Sequence, residues 1–305
     1  AECFTSRTVN IGMDEAHLLG RGKYLDKHGY VNPFDILNRH LKKVLEIAAK
    51  YGFECMMWSD MFIRIANGGE YYGNKINATE EAKNSVPDGV NLIYWDYYHT
   101  VKSDYDKMIA AHNKLVSSDR VWFAGGAWVW KGFAPDNAIT RKTMKPAMQS
   151  CREHGVKNVF ITLWGDDGKE CSYFSVLPSL YYIKKIYDCE TDMSAIKQGF
   201  KQITGVDYDA ICALDLPNGV QGGSKNNCNP CKYLLYSDPF SGFLDYTVKA
   251  GVNAEFATAS RKLARKAKES GEFKYIFDCL KTLCDVLALK AELGVKLRAA
   301  YKSGD

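Results

Sequence analysis

The sequence of 305 residues has no run of eighteen apolar residues and almost no net charge. Without such a run, no segment predicts a membrane-spanning helix. Forty basic residues stand against 36 acidic ones, and the resulting charge of +4 is dispersed along the chain. This argues against a nucleic-acid-binding protein, which needs a concentrated basic surface. With 46% hydrophobic and 25% charged residues, the composition is that of a globular protein with one large domain or two medium ones.

Ten cysteines are scattered through segments that have the patterns of strands and helices. A chain of this size buries a core unaided, so free thiols in a reducing, cytoplasmic compartment are favoured over a disulfide framework. Cys228 and Cys231 form a C-x-x-C sequence, but no second ligand pair lies nearby in the sequence. Because a zinc site normally needs two such pairs, the structural interpretation is preferred to metal or redox chemistry. We therefore predict no metal and no cofactor.

The first 187 residues alternate short apolar runs with amphipathic segments. The apolar runs predict strands at residues 9–13, 54–58, 91–96, 121–124 and 159–164. The amphipathic segments predict helices at about 34–50, 102–117, 141–154 and 174–187. Continuous apolar runs are typical of parallel strands that are covered on both faces. The alternation therefore predicts an α/β fold with a parallel sheet.

The predicted loops are long after the strands and short before them. Strand-to-helix connections occupy residues 16–32, 59–78 and 125–140, whereas the helix-to-strand connections at 51–53 and 155–157 are short. Long loops at one end of a parallel sheet mark the carboxyl ends of the strands as the functional face.

Acidic or aromatic side chains follow every predicted strand at this face. They are Asp14 and Glu15, Trp58 and Asp60, Tyr94 and Asp96, Trp128 and Trp130, and Trp164 and Asp166. A single tryptophan is as easily a core residue, but the whole set favours a carbohydrate pocket. Sugar C–H faces stack on aromatic rings, and sugar hydroxyls bind to carboxylates.

The strand pattern stops after about residue 190. Residues 193–204 have a helical pattern, 205–252 are irregular, and 253–303 predict two long helices. We therefore predict an α/β domain over residues 1–190 and a helical C-terminal domain over residues 191–305. The last helix has an apolar face that predicts packing on the first domain or on a neighbouring subunit.

The strand-end motifs, taken together, resemble those of the β-N-acetylhexosaminidases of glycoside hydrolase family 20. An Asp-Glu pair alone is a weak match, but four motifs occur in the order of the family. They are Asp14-Glu15, Trp58-Ser59-Asp60, Tyr94-Trp95-Asp96 and Trp164-Gly165-Asp166. Residues 22–29 and 124–128 resemble a bacterial subgroup with a helical C-terminal domain. The resemblance covers about residues 8–187 well and the remainder loosely.

The resemblance implies a (β/α)8 TIM-barrel catalytic domain. In the family the Asp-Glu pair ends the fourth strand, so residues 1–190 are expected to hold strands four to eight as the carboxyl part of the barrel. Strands one to three, with a sugar-binding Arg and the His and Asp that assist the acid, are expected to be absent. The open strand edges would then need a cover, either a second copy of the chain in a homo-oligomer or a complementary amino-terminal half.

The resemblance also implies an exo-acting hydrolase for terminal β-linked GlcNAc or GalNAc residues in glycans and oligosaccharides. The reaction is substrate-assisted and retains the anomeric configuration, with an oxazolinium intermediate formed by the 2-acetamido group. Glu15 is expected to be the general acid and base, while Asp14 orients the acetamido group and Tyr94 donates to its oxygen. Successive residues of a strand point to opposite faces, so Asp14 and Glu15 can converge only if the chain bends there.

The remaining predicted site residues bind the sugar. Trp58 and Trp164 line the subsite, Trp128 and Trp130 compete for one further wall, and Asp96 and Asp166 bind hydroxyls. The family usually has Glu at the position of Asp166. The alternative to an active enzyme is an inactive half-barrel or sugar-binding remnant that needs the amino-terminal half.

Overall fold

The computed structural model describes residues 2–73, 76–166, 168–223 and 229–304. The chain divides into two units. Unit 1 consists of Ala1–Gly125 and Pro146–Phe160, and unit 2 of Gly126–Lys145 and Ile161–Asp305. The predicted domain boundary at residues 190 and 191 stays a prediction.

Five strands form one sheet in chain order. They are β1 (Thr8–Asn10), β2 (Glu54–Trp58), β3 (Val90–Trp95), β4 (Val121–Gly126) and β5 (Asn158–Thr162). The first three neighbouring pairs are parallel, with Trp58 opposite Ile93 and Ile93 opposite Trp122. All five predicted strands are confirmed. However, β1 ends three residues early, because Gly12 and Met13 have φ angles of 74° and 78° and leave the extended region.

Seven helices belong to the β/α part of the chain as described. They are α1 (Lys23–His28), α2 (Pro33–Lys50), α3 (Asp60–Ala66), α4 (Glu80–Ser85), α5 (Lys102–Leu115), α6 (Asn137–Glu153) and α7 (Leu177–Tyr187). The four predicted helices are confirmed. In α2, the Asn32 side chain accepts from the Phe34 N–H and Pro33 occupies the first turn, as expected for a helix start. The sequence did not predict α1, α3 and α4, because six or seven residues carry too little periodicity.

The described residues after β5 and α7 form helices and no strand. The helices are α8 (Met193–Thr204), α9 (Tyr208–Cys212), α10 (Leu216–Gly219), α11 (Pro230–Tyr236), α12 (Val252–Lys266), α13 (Lys274–Lys290) and α14 (Leu293–Ser303). The prediction of two long helices over residues 253–303 is wrong, because three are present. Gly271 has a φ angle of 54° between α12 and α13. Before α14, the Glu292 N–H donates to Asn253 Oδ1 at 3.0 Å.

Each unit has its own apolar core. In unit 1, buried side chains come from strands and helices, among them Leu41, Met57, Leu92, Ile109 and Phe123. In unit 2, they come from the C-terminal helices, among them Phe200, Phe256, Leu263, Phe277 and Leu287. The described chain thus has the coarse architecture that was predicted, a parallel β/α sheet followed by a helical region. Which strands of a barrel these are stays a prediction.

Nine cysteines lie in the described ranges, and all nine are free thiols. Cys228 lies outside the described residues, so its C-x-x-C partnership with Cys231 is not tested. Across the described ranges, no helix has the length and apolar character required to cross a membrane.

Candidate active site

The chain leaves the extended conformation directly after β1. Gly12, Met13 and Glu15 all have positive φ angles, of 74°, 78° and 50°. The side chain of Asn10 accepts from the Gly12 N–H at 2.8 Å. Two non-glycine residues with positive φ within three positions are uncommon, and such backbone is found mostly where function requires it. The predicted bend at Asp14 and Glu15 is confirmed.

Asp60 and Arg64 hold Glu15 in place. The Glu15 N–H donates to Asp60 Oδ2 at 3.0 Å, and Arg64 Nε donates to the same oxygen at 3.2 Å. Arg64 Nη2 lies 3.9 Å from Glu15 Oε1. Asp60 begins α3 directly after β2, and Arg64 follows one helical turn later. The loop after β1 is therefore tied to α3 through both the backbone and the side chain of Glu15.

The carboxylates of Asp60 and Glu15 differ in their exposure to solvent. Asp60 is fully buried, whereas the side chain of Glu15 is 56% exposed and that of Arg64 is 18% exposed. Burial raises the pKa of Asp60, and the bonds from Glu15 and Arg64 oppose this rise. Asp60 Oδ1 has no hydrogen-bond partner within the described residues. The carboxylate of Glu15 is therefore the exposed one, and the buried acid of this site is Asp60.

A buried hydrogen-bond chain lies beneath the ends of β2 and β3. Ser59 Oγ lies 2.7 Å from His112 Nε2 and 3.2 Å from the Tyr71 hydroxyl. His112 Nδ1 lies 2.7 Å from the Met108 carbonyl oxygen, which can only accept, so the neutral ring is protonated at Nδ1. Burial lowers the pKa of His112 to about 4. This chain fixes Ser59, the residue that precedes Asp60.

Tyr94 lies on the face of β3 against which α5 packs. Its ring is fully buried, with centroid distances of 5.0 Å to His112 and 5.3 Å to Phe123. Its hydroxyl donates to Asp96 Oδ2 at 2.6 Å, and burial raises the pKa of Tyr94. The structure therefore pairs Tyr94 with Asp96, and the contact of Tyr94 with a substrate stays a prediction.

Asp96 organises the turn after β3. Its Oδ1 accepts from the N–H groups of Tyr98 and His99 at 3.0 and 3.2 Å. Its Oδ2 lies 2.6 Å from His99 Nδ1, and this bond raises the pKa of His99. Asp96 is fully buried, and both its oxygens are engaged. Its predicted bonds to sugar hydroxyls stay a prediction.

Trp58 is packed within unit 1. Its ring centroid lies 6.0 Å from that of Phe160, which lies 6.5 Å from that of Trp122. Trp58 is less than a tenth exposed, which is the burial of a packed side chain. Its predicted contact with a substrate is not tested.

Unit 2 holds the other predicted sugar-binding residues. Trp128 and Trp130 stack on each other, with centroids 4.6 Å apart and planes at 28°, and both are less than a tenth exposed. The Trp128 N–H donates to Thr140 Oγ1 at 2.9 Å. Trp164 is half-buried after β5, and Asp166 is exposed. The structure therefore pairs the two tryptophans that the sequence treated as competitors.

The sequence analysis gave Asp14 and Glu15 catalytic roles. It placed Asp60 among the strand-end acids but gave it no role of its own, and it did not identify Arg64. Asp60 follows a strand-end tryptophan, as Asp166 does, and this repetition was a usable signal. Arg64 carried no signal beyond its place one turn after Asp60, because its approach to Glu15 depends on tertiary structure.

Comparison with known proteins supports the resemblance in the C-terminal part of the chain. Residues 206–305, about a third of the chain, match the family model described as the Glycoside Hydrolase 20C C-terminal domain. No curated protein matches the chain. The predicted family is thus confirmed for the C-terminal portion alone, where residues 206–305 match the C-terminal domain model of glycoside hydrolase family 20.

Proposed function

We propose that this chain carries the catalytic acid of an exo-β-N-acetylhexosaminidase, which hydrolyses terminal β-linked GlcNAc or GalNAc. The C-terminal family match supports a glycoside hydrolase. One observation carries the finer proposal. Glu15 presents an exposed carboxylate at a bend after a parallel strand, its N–H is held by Asp60, and Asp14 precedes it. The carboxyl ends of parallel strands are where barrel enzymes place their catalytic groups.

Glu15 acts first as a general acid and then as a general base. It gives its proton to the glycosidic oxygen while the bond from that oxygen to C1 breaks. The acetamido oxygen of the substrate bonds to C1 and forms the oxazolinium ion, so no enzyme carboxylate attacks the sugar. Glu15 then takes a proton from water, and the water oxygen attacks C1. This opens the oxazolinium ring and gives a product with the original anomeric configuration.

Asp14 stabilises the positive charge that grows on the acetamido nitrogen. A carboxylate near this charge stabilises the transition state more than the ground state, which is the requirement for catalysis. Asp60 and Arg64 act through Glu15 and are positioning residues. Their bonds fix the backbone and restrain the carboxylate of the acid.

The roles of the other site residues come from the resemblance alone. Tyr94 donates to the acetamido oxygen, and Asp96 and Asp166 bind hydroxyls. Since Tyr94 and Asp96 are bonded to each other, a substrate must compete for these bonds. Trp58, Trp128, Trp130 and Trp164 line the sugar subsite.

The five strands are proposed to be strands four to eight of an eight-stranded barrel. In the described sheet, β1 has only β2 as a neighbour, so one edge of β1 offers unpaired backbone groups. This observation favours a second candidate, an inactive half-barrel or sugar-binding remnant that hydrolyses glycosides only when an amino-terminal half completes it.

The test compares three aryl glycosides that differ only at C2 or C4, namely 4-methylumbelliferyl β-GlcNAc, β-GalNAc and β-glucose. We expect one or both N-acetylhexosaminides to be cleaved and the glucoside to be inert, because it lacks the acetamido nucleophile. An oxazoline mimic should inhibit. Cleavage of the glucoside at a similar rate would contradict the substrate-assisted mechanism. Activity that appears only after addition of an amino-terminal half would select the second candidate.

A further inference from the structure

A cleft of about 330 Å³ lies in unit 1 beside Glu15. It is enclosed by the loop after Glu15, by α1, by the start of α2 and by α3. Leu19, Leu25, Met61 and Ile65 supply apolar wall, and Gly68 and Gly69 complete one side. The proposed function does not use this cleft.

The cleft is next to the proposed general acid. Ala16 and His17 line it and directly follow Glu15 in the chain. Arg64 also lines it, and its guanidinium lies 3.9 Å from Glu15 Oε1. A general acid lies beside the glycosidic oxygen, which joins C1 of the cleaved sugar to the group that leaves. A cleft next to this acid, on the side of the glycosidic oxygen away from C1, can hold the leaving group.

The lining is cationic and contains no carboxylate. Its basic side chains are those of His17, Arg21 and Arg64. Asp60 and Glu15 offset the charge of Arg64. Arg21 is exposed and has no ion pair or side-chain hydrogen bond within the described residues. Arg21 therefore has no carboxylate within ion-pair distance among the described residues, and its guanidinium matches the planar geometry of a carboxylate or a sulfate.

The mouth of the cleft has an aromatic surface. Tyr30 lines it and is 78% exposed, so that its ring is open to solvent. Exposed tyrosine rings provide stacking area for sugar C–H faces together with a polar hydroxyl. A ring beside a free guanidinium suits a sugar with a negatively charged substituent better than a purely apolar group.

We propose that this cleft is a leaving-group subsite that selects an anionic sugar, with Arg21 as the residue that determines specificity and Tyr30 as its stacking surface. The inference rests on the proposed function, because it takes Glu15 as the general acid. The ligand class is a hexose with a carboxylate, sulfate or phosphate group, linked at its hydroxyl to the terminal N-acetylhexosamine.

The experiment uses two disaccharides that differ in one group, GlcNAc-β-(1→4)-glucuronate and GlcNAc-β-(1→4)-glucose. Both are given to the full chain in the form that cleaves the aryl N-acetylglucosaminide. An exposed ion pair contributes at most about 1 kcal/mol, so we expect kcat/KM to be higher for the glucuronate by up to about fivefold. The difference should lie in KM and should shrink in high salt.

Arg21→Gln should abolish the preference, and Tyr30→Ala should weaken the binding of both disaccharides. Lys43→Gln, which removes an exposed cation of α2 that does not line the cleft, should leave the preference unchanged. Thio-linked analogues of both disaccharides, which are not cleaved, give the same comparison as dissociation constants by calorimetry. A sulfated and a phosphorylated leaving sugar then show which anion the cleft prefers.

Three outcomes are decisive. A preference for the acidic disaccharide that Arg21→Gln removes supports the subsite. Cleavage of both disaccharides with equal kcat/KM overturns the subsite and leaves the proposed function intact. Failure of the chain to cleave any of these N-acetylglucosaminides, with or without an amino-terminal half, overturns the proposed function and this inference with it.

Discussion

The backbone N–H of Glu15 donates to Asp60 Oδ2 across 45 positions of the chain. The acceptor is fully buried, whereas the Glu15 carboxylate is exposed. Because Asp60 accepts from the backbone N–H of Glu15, it fixes the loop without using the side chain of Glu15. The carboxylate of Glu15 therefore stays free for chemistry while the geometry of its backbone is held.

Arg64→Lys should lower kcat for a substrate with a poor leaving group, while KM changes little. Lysine keeps the positive charge. It lacks the planar guanidinium with which Arg64 bonds to Asp60 and approaches Glu15 at the same time. We expect a loss of about tenfold for a GlcNAc disaccharide and a smaller loss for an aryl glycoside, because a misplaced acid matters most where protonation is needed. The two substrates are compared by steady-state kinetics.

Arg120→Lys is the matched control, since Arg120 donates to the carbonyl oxygens of Pro87 and Val90 at the amino end of β3 and does not line the cleft. This variant should leave the ratio of kcat for the disaccharide to kcat for the aryl glycoside unchanged. Equal losses on both substrates in Arg64→Lys would indicate general destabilisation of the fold and would remove Arg64 from the positioning role.

Glu15→Gln should lower kcat for poor leaving groups by about 10²–10⁴-fold, the range expected for loss of an acid or base catalyst. Activated phenols leave with little protonation, so their cleavage should fall much less. A series of aryl glycosides with increasing leaving-group pKa measures this difference. Equal loss across the series would exclude Glu15 as the general acid.

Asp14→Asn should weaken the binding of an oxazoline mimic together with turnover. The carboxylate faces a positive charge in the intermediate, and an amide supplies no such charge. The inhibition constant of the mimic, measured for wild type and variant with an activated substrate, tests this. If the mimic inhibited both proteins equally, the substrate-assisted mechanism would fail.

The sequence predicted the strands and the bend well, because these depend on local patterns. Apolar runs located all five strands, and the need for Asp14 and Glu15 to converge predicted the change of backbone after β1. The direction of Tyr94 was not open to prediction. Alternation along β3 puts Tyr94 on the same face as Leu92, but Leu92 and Ile93 are both fully buried, so an apolar pattern does not distinguish the two faces of this strand.

Long-range contacts account for what the sequence did not predict. The break before α14 depends on the side chain of Asn253, which accepts from Glu292 39 positions away. The hold of Arg64 on Glu15 depends on the packing of α3 beside the loop after β1. Neither contact leaves a periodic pattern in the sequence, so spacing alone could not identify them.

The stability of the fold should decrease as the pH falls from about 6.5 to 4, because of His112. Burial lowers the pKa of His112 to about 4, whereas an unfolded histidine titrates near 6.5. Between these values the unfolded chain binds more protons, so the free energy of unfolding decreases on acidification, by about 3 kcal/mol at most. Urea unfolding at several pH values measures this slope.

His112→Gln should remove this part of the slope, since glutamine does not titrate. Asn113→Gln, an exposed change one residue further along α5, should retain it. If the slopes of wild type and His112→Gln were the same from pH 6.5 to 4, protonation of His112 would not contribute to acid unfolding.

Asp215 should make the fold less stable as the pH rises, the opposite of the change expected for His112. Its test decides whether burial or hydrogen bonding dominates the pKa of this carboxyl. In unit 2, Asp215 Oδ1 accepts from the N–H of Asn137, and Oδ2 accepts from the N–H of Ala138, both at 2.9 Å. Asp215 thus caps the start of α6. Such donors favour the ionised carboxylate, yet burial outweighs them and raises the pKa of Asp215 to about 7.

A raised pKa means that the folded chain binds the proton more tightly than the unfolded chain, whose carboxyl titrates near 3.9. The contribution of Asp215 to stability should therefore be greatest below about pH 4 and should be lost as the pH rises to 7, by about 4 kcal/mol. The difference in unfolding free energy between wild type and Asp215→Asn, measured from pH 4 to 7, should shrink accordingly. Asp209→Asn, which removes an exposed carboxylate of α9, controls for the loss of charge. A difference that grows with pH would contradict the prediction, because the N–H donors at the start of α6 would then outweigh burial.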